Sequence, residues 1–301
     1  MSLLVTGSLG IDTVTTPHGH VENVLGGCAV YFSFAATHYV PVRLVSVAGE
    51  DFPDEFRRIL ESRNIDLTGL EIRKGSKTFR WTGRFTGDMN EAETVDVQVN
   101  VLAERAPTVP PSLRDSSHVF LAVTHPTQQR ELLSQIRAPE LVVLDTVNLW
   151  IANERESLIE TLRLVTGVII NDAESRQLTD RVNLIEAGEA ILDLGPKFVM
   201  IKKGEHGSLL VSRDGAFAIP AYPSKAVRDP TGAGDSFAGG VMGYLTKEGK
   251  HDTDALRRAM VRGTVAASFT IEDFSIGRVR DLTRAEVDQR VDAFLNMLRL
   301  D

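Results

Sequence analysis

The feature that most narrows the possible folds is a rhythm, in which short apolar runs of strand character alternate with longer amphipathic ones. "LLVTGSLGID" reads as a buried strand, Leu3 to Leu9, ending in a glycine-rich turn with Asp12 at its exit. "VENVLGG" leads into "CAVYFSFAATHYV", which has the length and small residues of a buried helix. "VRLVSVAGED" is a second strand with an acidic turn, and "DFPDEFRRILESRN" an amphipathic helix. Strand, helix, strand, helix is the signature of a sheet covered on both faces. The rhythm breaks from Lys77 to Val101, where "KTFRWTGRFTGDMNEAETVDVQVNV" alternates β-branched or aromatic residues with polar ones, as half-exposed antiparallel strands do. That stretch is expected to be an excursion from the main sheet, a lid.

The rhythm then resumes. Strand "SHVFLAV" precedes helix "PTQQRELLSQIR"; strand "LVVLD" precedes the "TVNLWI" turn and helix "ESLIETLRLV". Strand "GVIIND" leads to helix "AESRQLT", and helix "NLIEAGEAILDL" to strand "KFVMIKKG". "SLLVSRDGAFAIPA" has the look of a hairpin turning at Arg213-Asp214-Gly215. The final third reads as helices Ala233 to Thr246, Thr253 to Phe269 and Arg284 to Leu298. There is no internal repeat and no low-complexity linker. One domain over residues 1–301 is expected, with lid segments at about 13–24 and 77–103 inserted in the α/β core.

Composition removes several function classes. With 43% apolar and 25% charged residues the chain is ordinary globular. Its formal charge is −8 and its basic residues are dispersed, which excludes the clustered positive surface a nucleic acid needs. Any phosphate must be held locally, by backbone dipoles and metal. The single cysteine, Cys28, excludes an internal disulfide and fits a reducing compartment. No basic residue precedes Arg43, and the longest apolar run is broken by His38 and Pro41, so neither a secretory signal nor a membrane span is expected. The expectation is a soluble cytoplasmic protein.

Chemistry concentrates in "VRDPTGAGDSFAGG", where four glycines surround Asp235. A dinucleotide fingerprint fails because Phe237 replaces the third glycine and no buried strand precedes it. A Walker A loop is absent altogether. The plain alternative is a glycine-rich helix cap. The mechanistic reading has Pro230 and Thr231 set the approach to a helix whose first turn is Gly232-Ala233-Gly234. Those N–H groups lack intrahelical partners and the helix dipole adds positive character, so they can take phosphate oxygens without a lysine. An acid beside a bound phosphate needs another task, and taking the proton from an attacking hydroxyl is one.

"DPTGAGDSFAGG" resembles the C-terminal signature of the ribokinase-like, PfkB-type carbohydrate kinases, and the resemblance covers essentially the whole chain. "GSLGID", "NVLGG", "VSVAGEDFPDEFRRILESRNID", "NDAES" and "IKKGEHGSLL" are similar to the family's other segments. The resemblance implies a three-layer α/β/α core with a mostly parallel central sheet and a small β-lid over the substrate site. It implies ATP with Mg²⁺ and, in many relatives, K⁺, and an activity that moves the γ-phosphate to a hydroxyl, most simply a primary CH2OH, of a sugar or sugar acid. A nucleoside or inositol-like polyol as acceptor is the alternative within the fold, and a catalytically silent small-molecule binder the alternative of another class.

By that resemblance Asp235 is the base, and Gly232, Ala233 and Gly234 form the anion hole. Asn171 lies along the nucleotide and, with Glu174, organises Mg²⁺ and phosphate, Glu174 through water. Without the family, Glu174 reads as an ordinary first-turn helix acid. Lys202, Gly204, Gly207 and Gly263 lie along the nucleotide, although Gly204 and Gly207 also suit a β-turn and Gly263 a helix-packing contact. Asp229 and Thr231 match K⁺ positions, completed by carbonyls near Ile271 to Gly277; an Asx-turn cap is the plain reading of Asp229. Asp12 accepts substrate hydroxyls, with Gly26 and Gly27 giving close backbone approach. Cys28 and Tyr31 replace the Lys and Asn of many true ribokinases, which puts ribose itself in doubt. A base would need an aromatic slot, for which Tyr31, Phe32 and Trp81 are candidates. Arg80 and Arg84 suggest a carboxylate or phosphate on the substrate, with solvated strand residues as their plain reading, and Asn148 and His125 are further substrate candidates. His18 and His20 read as a solvated lid edge, and Cys28 as a buried small residue. A homodimer through the exposed lid face is expected, since a small isolated sheet buries little alone.

Overall fold

The computed structural model describes residues 1–299. Along the central strands, successive side chains enter two different apolar interiors, the period-2 consequence of an extended chain. In β1 (Leu3–Thr6), Leu3 and Val5 join one interior and Leu4 the other. The same split runs through β4 (Val42–Gly49), β8 (His118–Leu121), β9 (Leu141–Leu144), β10 (Gly167–Asn171), β11 (Phe198–Lys202) and β12 (Ser208–Ser212). Thus Phe120, Val143, Ile169 and Met200 face one layer, while Val119, Leu144, Ile170 and Ile201 face the other. With β5 (Ile65–Arg73) and β13 (Gly215–Ile219) at the edges, these strands form a nine-stranded sheet of order β13-β12-β11-β10-β9-β8-β1-β4-β5. Neighbours from β5 to β11 are parallel, and β12 runs antiparallel to both of its neighbours, β11 and β13.

The first interior is covered by α1 (Cys28–Ala36), α2 (Asp54–Glu61), α8 (Ala233–Glu248), α9 (Thr253–Thr270) and α10 (Arg284–Met297). The second is covered by α3 (Pro126–Leu133), α4 (Asn148–Asn153), α5 (Arg155–Leu162), α6 (Asp172–Thr179) and α7 (Leu184–Leu192). The result is the expected three layers. A Cβ on Gly239 would come within 2.2 Å of the Phe32 carbonyl, so α8 lies directly against α1, and this contact fixes the start of α8 over Tyr31.

The lid is a second sheet, of order β3-β2-β6-β7, formed by β2 (Gly10–Thr16), β3 (Gly19–Gly26), β6 (Phe79–Phe85) and β7 (Ala92–Gln98). The excursion expected from Lys77 to Val101 supplies β6 and β7, which pair antiparallel. Asp12 departs from expectation. The first core strand stops at Thr6, and Asp12 belongs to the lid strand β2, not to the exit of the core strand. The "TVNLWI" turn is also corrected, because most of it winds into α4.

Candidate active site

The start of α8 is built by its own sequence. The Asp229 carboxylate accepts the Thr231 N–H through Oδ1 at 2.9 Å and the Ser275 N–H through Oδ2 at 3.3 Å, which joins the approach loop to a second loop. Gly232 then turns the chain with φ of 75°, a left-handed conformation suited to glycine. A Cβ there would also fall 2.2 Å from the Tyr31 ring. The Ala233 N–H closes onto the Pro230 carbonyl at 3.1 Å, so Ala233 is corrected as a member of the anion hole. The N–H groups of Gly232, Gly234 and Asp235 reach no protein acceptor among the described residues and remain to serve an anion.

On the lid strand β2, Asp12 is 3% exposed, and its Oδ2 occupies the space a Gly26 side chain would need, 1.8 Å from that Cβ. Burial pushes its carboxyl up to about 7, the Gly27 amide opposes this, and Asp229 and Asp235 add to the rise. Trp81 is its register partner on β6, and parallel register partners share a sheet face. That face packs Val14, Phe85 and Met89 against Trp81, Val227 and Phe274, so the lid sits on the loop leading to α8. Asp12 Oδ1, Tyr31 Oη and Thr231 Oγ1 are each buried without a hydrogen-bond partner. Tyr31 is 1% exposed and fills the floor under Gly232; with Phe32 fully buried in the core, neither forms the wall of a slot for a base.

On the other side, the carboxyl ends of three core strands converge. The parity that sends Leu144, Ile170 and Ile201 to one interior turns the next residues, Asp145, Asn171 and Lys202, toward the layer of α8. Lys202 Nζ donates to Asp145 Oδ2 at 3.0 Å. Asn171 and Glu174 form a reciprocal capping box at the start of α6: Asn171 Oδ1 accepts the Glu174 N–H, and Glu174 Oε2 accepts the Asn171 N–H. Burial first, then Asp145, raises the Glu174 carboxyl to about 7. Asp235 is likewise raised to about 7 by burial and then Asp145, with Lys202 opposing. Asp235 lies in the first turn of α8, and its charge adds to the rise of both Asp12 and Glu174.

Gly204 (φ 54°) and Gly207 (φ 82°) shape the tight turn from β11 to β12. The tip between β6 and β7 reaches this turn, where Asn90 Nδ2 donates to Glu205 Oε1 at 3.2 Å. Other candidates lie elsewhere. Arg84 is on the lid face opposite Asp12, 51% exposed and paired with Glu93. Arg80 is tied to Asp51 and Asn23. Asn148 is exposed at the start of α4, its carbonyl accepting from Gln177. At Gly263 the missing Cβ makes room for Phe237 and Val241, the α8–α9 packing that was its plain reading. His125 caps α3 by accepting the Thr127 N–H. His18 is exposed on the β2–β3 turn, and His20 lies between Thr15 and Glu22 at the exposed lid edge. Cys28 is buried and its thiol is pushed up to about 12, first by burial. Sequence reasoning missed Asp145, although it ends an apolar strand at an acid, the same signal that singled out Asp12.

The donor chemistry fits Mg²⁺ at Glu174, a buried carboxylate with Oε1 left over from its cap, in an oxygen-ligand setting that suits a hard cation. For K⁺ the case is different. Both Asp229 oxygens accept amides, and the Ile271 carbonyl accepts those of Arg228 and Asp229. This bonding joins the two loops through protein groups alone. Among the described residues no group of three or more His, Cys, Asp or Glu could hold a metal, and no helix is long and apolar enough to cross a membrane.

A three-layer α/β core whose strand ends, lid and helix N-terminus converge in this way defines a kinase-type small-molecule site. Residues 3–277 match the pattern of the pfkB family carbohydrate kinases, and the chain belongs to that family. It is 31% identical over 252 residues to a cytidine kinase of Thermococcus kodakarensis, covering 81% of this chain and 88% of that one. A nucleoside kinase of Methanothermobacter thermautotrophicus is 24% identical, over 84% of this chain and 80% of its own. The fold is similar to that of a Burkholderia thailandensis nucleoside kinase in complex with inosine, with a TM-score of 0.79 at 20% identity over 98% and 99% of the two chains.

Proposed function

We propose that the protein transfers the γ-phosphate of ATP to a primary hydroxyl of a neutral riboside, a nucleoside. The observation that carries this reading is Asp235 in the first turn of α8, beside the free amides of Gly232 and Gly234, with its charge felt at the Asp12 carboxyl. Asp235 accepts the proton of the acceptor hydroxyl as its oxygen bonds to phosphorus, and ADP departs with the electron pair of the broken bond. The amides of Gly232, Gly234 and Asp235 bear the charge on the transferring group. Mg²⁺, held through Glu174 and the Asn171 cap, supplies charge neutralisation to the phosphates when bound.

Two features favour a nucleoside over the sugar acid that the lid arginines suggested. Asp12, Asp229 and Asp235 make the acceptor side acidic, which repels a second anion, and both arginines are engaged elsewhere. Asp12 and Trp81 are register partners on one lid face, a hydroxyl acceptor and an aromatic residue whose ring lies over Gly83. The relatives named as cytidine and nucleoside kinases support the same class.

ADP release measured against nucleosides, sugars, sugar acids and inositols tests this. Nucleosides should stimulate it most. A sugar that does better moves the acceptor class, and ligands that bind without stimulating release favour the silent binder. Asp235→Asn should retain nucleotide affinity and lose at least ~10²-fold in turnover; near-normal turnover removes Asp235 from the role. For assembly, the proposal keeps a lid-to-lid homodimer, because β7 is an edge strand exposed along its length with Val95 at 49% and Val97 at 48%. Val97→Glu should then give a monomer in sedimentation, and a wild-type monomer removes the dimer.

A further inference from the structure

Lys202 is a largely buried lysine whose position is set by two features far apart in the chain. Its Nζ rests on Asp145 Oδ2 at 3.0 Å, with the two side chains 18% and 4% exposed. On its other side, a Cβ placed on Gly234 would lie 3.1 Å from Nζ. The ammonium is therefore packed against the first turn of α8, at the residue whose free N–H forms part of the cradle. Glycine at that position leaves the room that the ammonium occupies. The neighbouring charges on each packed element are Asp145 at the end of β9, Glu174 on α6 and Asp235 on α8. A lone lysine buried this deeply tends to lose its proton; here burial is outweighed by the three carboxylates, and the ammonium stays charged.

We infer that Lys202, seated on Asp145, is the fixed positive charge of the transfer site and acts on the phosphoryl group in flight more than on the resting nucleotide. The inference rests on the kinase reading above and adds to it a residue pair, with Asp145 as the positioning residue. In the transfer the acceptor O–H proton goes to Asp235, the new O–P bond forms, and the bond from phosphorus to the β-phosphate oxygen breaks with its electron pair leaving on ADP. Lys202 keeps its proton throughout. Negative charge that shifts onto the transferring oxygens and the departing oxygen is met by an ammonium already held in place, which is the condition for favouring the transition state over the ground state. Asp145 prevents that ammonium from swinging out to solvent or collapsing onto Asp235, which must remain free to receive a proton.

The test compares affinity for ADP with affinity for ADP plus aluminium fluoride, both with Mg²⁺, by calorimetry, and measures turnover separately. Lys202→Met should weaken the aluminium fluoride complex by about 30-fold or more while changing ADP affinity by no more than about 3-fold, the scale of one lost oxyanion donor. Turnover should fall by a similar factor with the acceptor KM unchanged. Because Lys202→Met leaves a buried carboxylate unpaired, the double variant Asp145→Asn/Lys202→Met, which removes both charges and should fold well, must show the same selective loss. Asp145→Asn alone should show a smaller loss of the same kind. Equal weakening of both complexes, or none, in the folded double variant overturns the inference. If no acceptor is phosphorylated by the wild-type protein, the kinase reading fails, while the binding ratio still decides the role of Lys202.

Discussion

Asp235 has an ordinary carboxyl value of 3.8 and is raised to about 7, by burial first, so it can accept a proton only in the upper part of the physiological range. The acid limb of kcat/KM should accordingly lie near 7 and not near 4, with activity rising through it, which a pH–rate profile will measure. The sign for stability is opposite. A folded value above the unfolded one means folding favours the protonated form, so that stability is full below about pH 4 and lost as pH rises through 7. Asp235→Asn should therefore raise Tm at pH 8 and leave it nearly unchanged at pH 4; an equal shift at both pH values counts against the buried carboxylate. Gly26 offers a second test. A Cβ there overlaps Asp12 Oδ2 at 1.8 Å, so Gly26→Ala must displace the carboxylate. Losing one charged hydrogen bond should raise the acceptor KM about 10-fold or more with the ATP KM unaffected.

Among the elements, the lid is the one on which the proposed nucleoside reading rests. If Trp81 supports a base, Trp81→Ala should weaken nucleoside binding about 10-fold, the order of a stacking contact, and leave the binding of a free sugar unchanged; equal losses for both remove the base from that surface. The lid also shows what a chain of letters reveals. Strands buried on both faces, such as β8 to β11, were legible because continuous apolar runs bounded by turns have few other uses. β5 was not, because an edge strand with only three of its nine residues buried lacks such a run. Asp12 was assigned to the wrong sheet because Leu3 to Asp12 reads as one run, and only the pairing of Gly10 to Thr15 with Phe79 to Arg84 separates lid from core. Tyr31 was legible as important but not as a floor, since a buried aromatic and a slot-lining one look alike in sequence. The pairing of Lys202 with Asp145, 57 residues apart, depends on the order of β9, β10 and β11, and no local pattern carries that. The glycine–acid motif, by contrast, was local, and its geometry followed from helix-end chemistry.

Taken as one body, the molecule has a lid strand that carries Asp12 at one rim and, through the β6–β7 tip, a contact with the Gly204–His206 turn at the other. A hairpin fastened at both rims behaves as a strap across the two berths. On the proposed reading, both substrates would have to be in place before the strap closes, and its opening would govern their departure. Initial-rate lines should therefore intersect when the two substrates are varied together, and kcat should fall as sucrose thickens the solvent. Asn90→Ala, which loosens the far fastening, should weaken that viscosity dependence, and a kcat indifferent to viscosity would mean that the chemical step, not the strap, sets the pace.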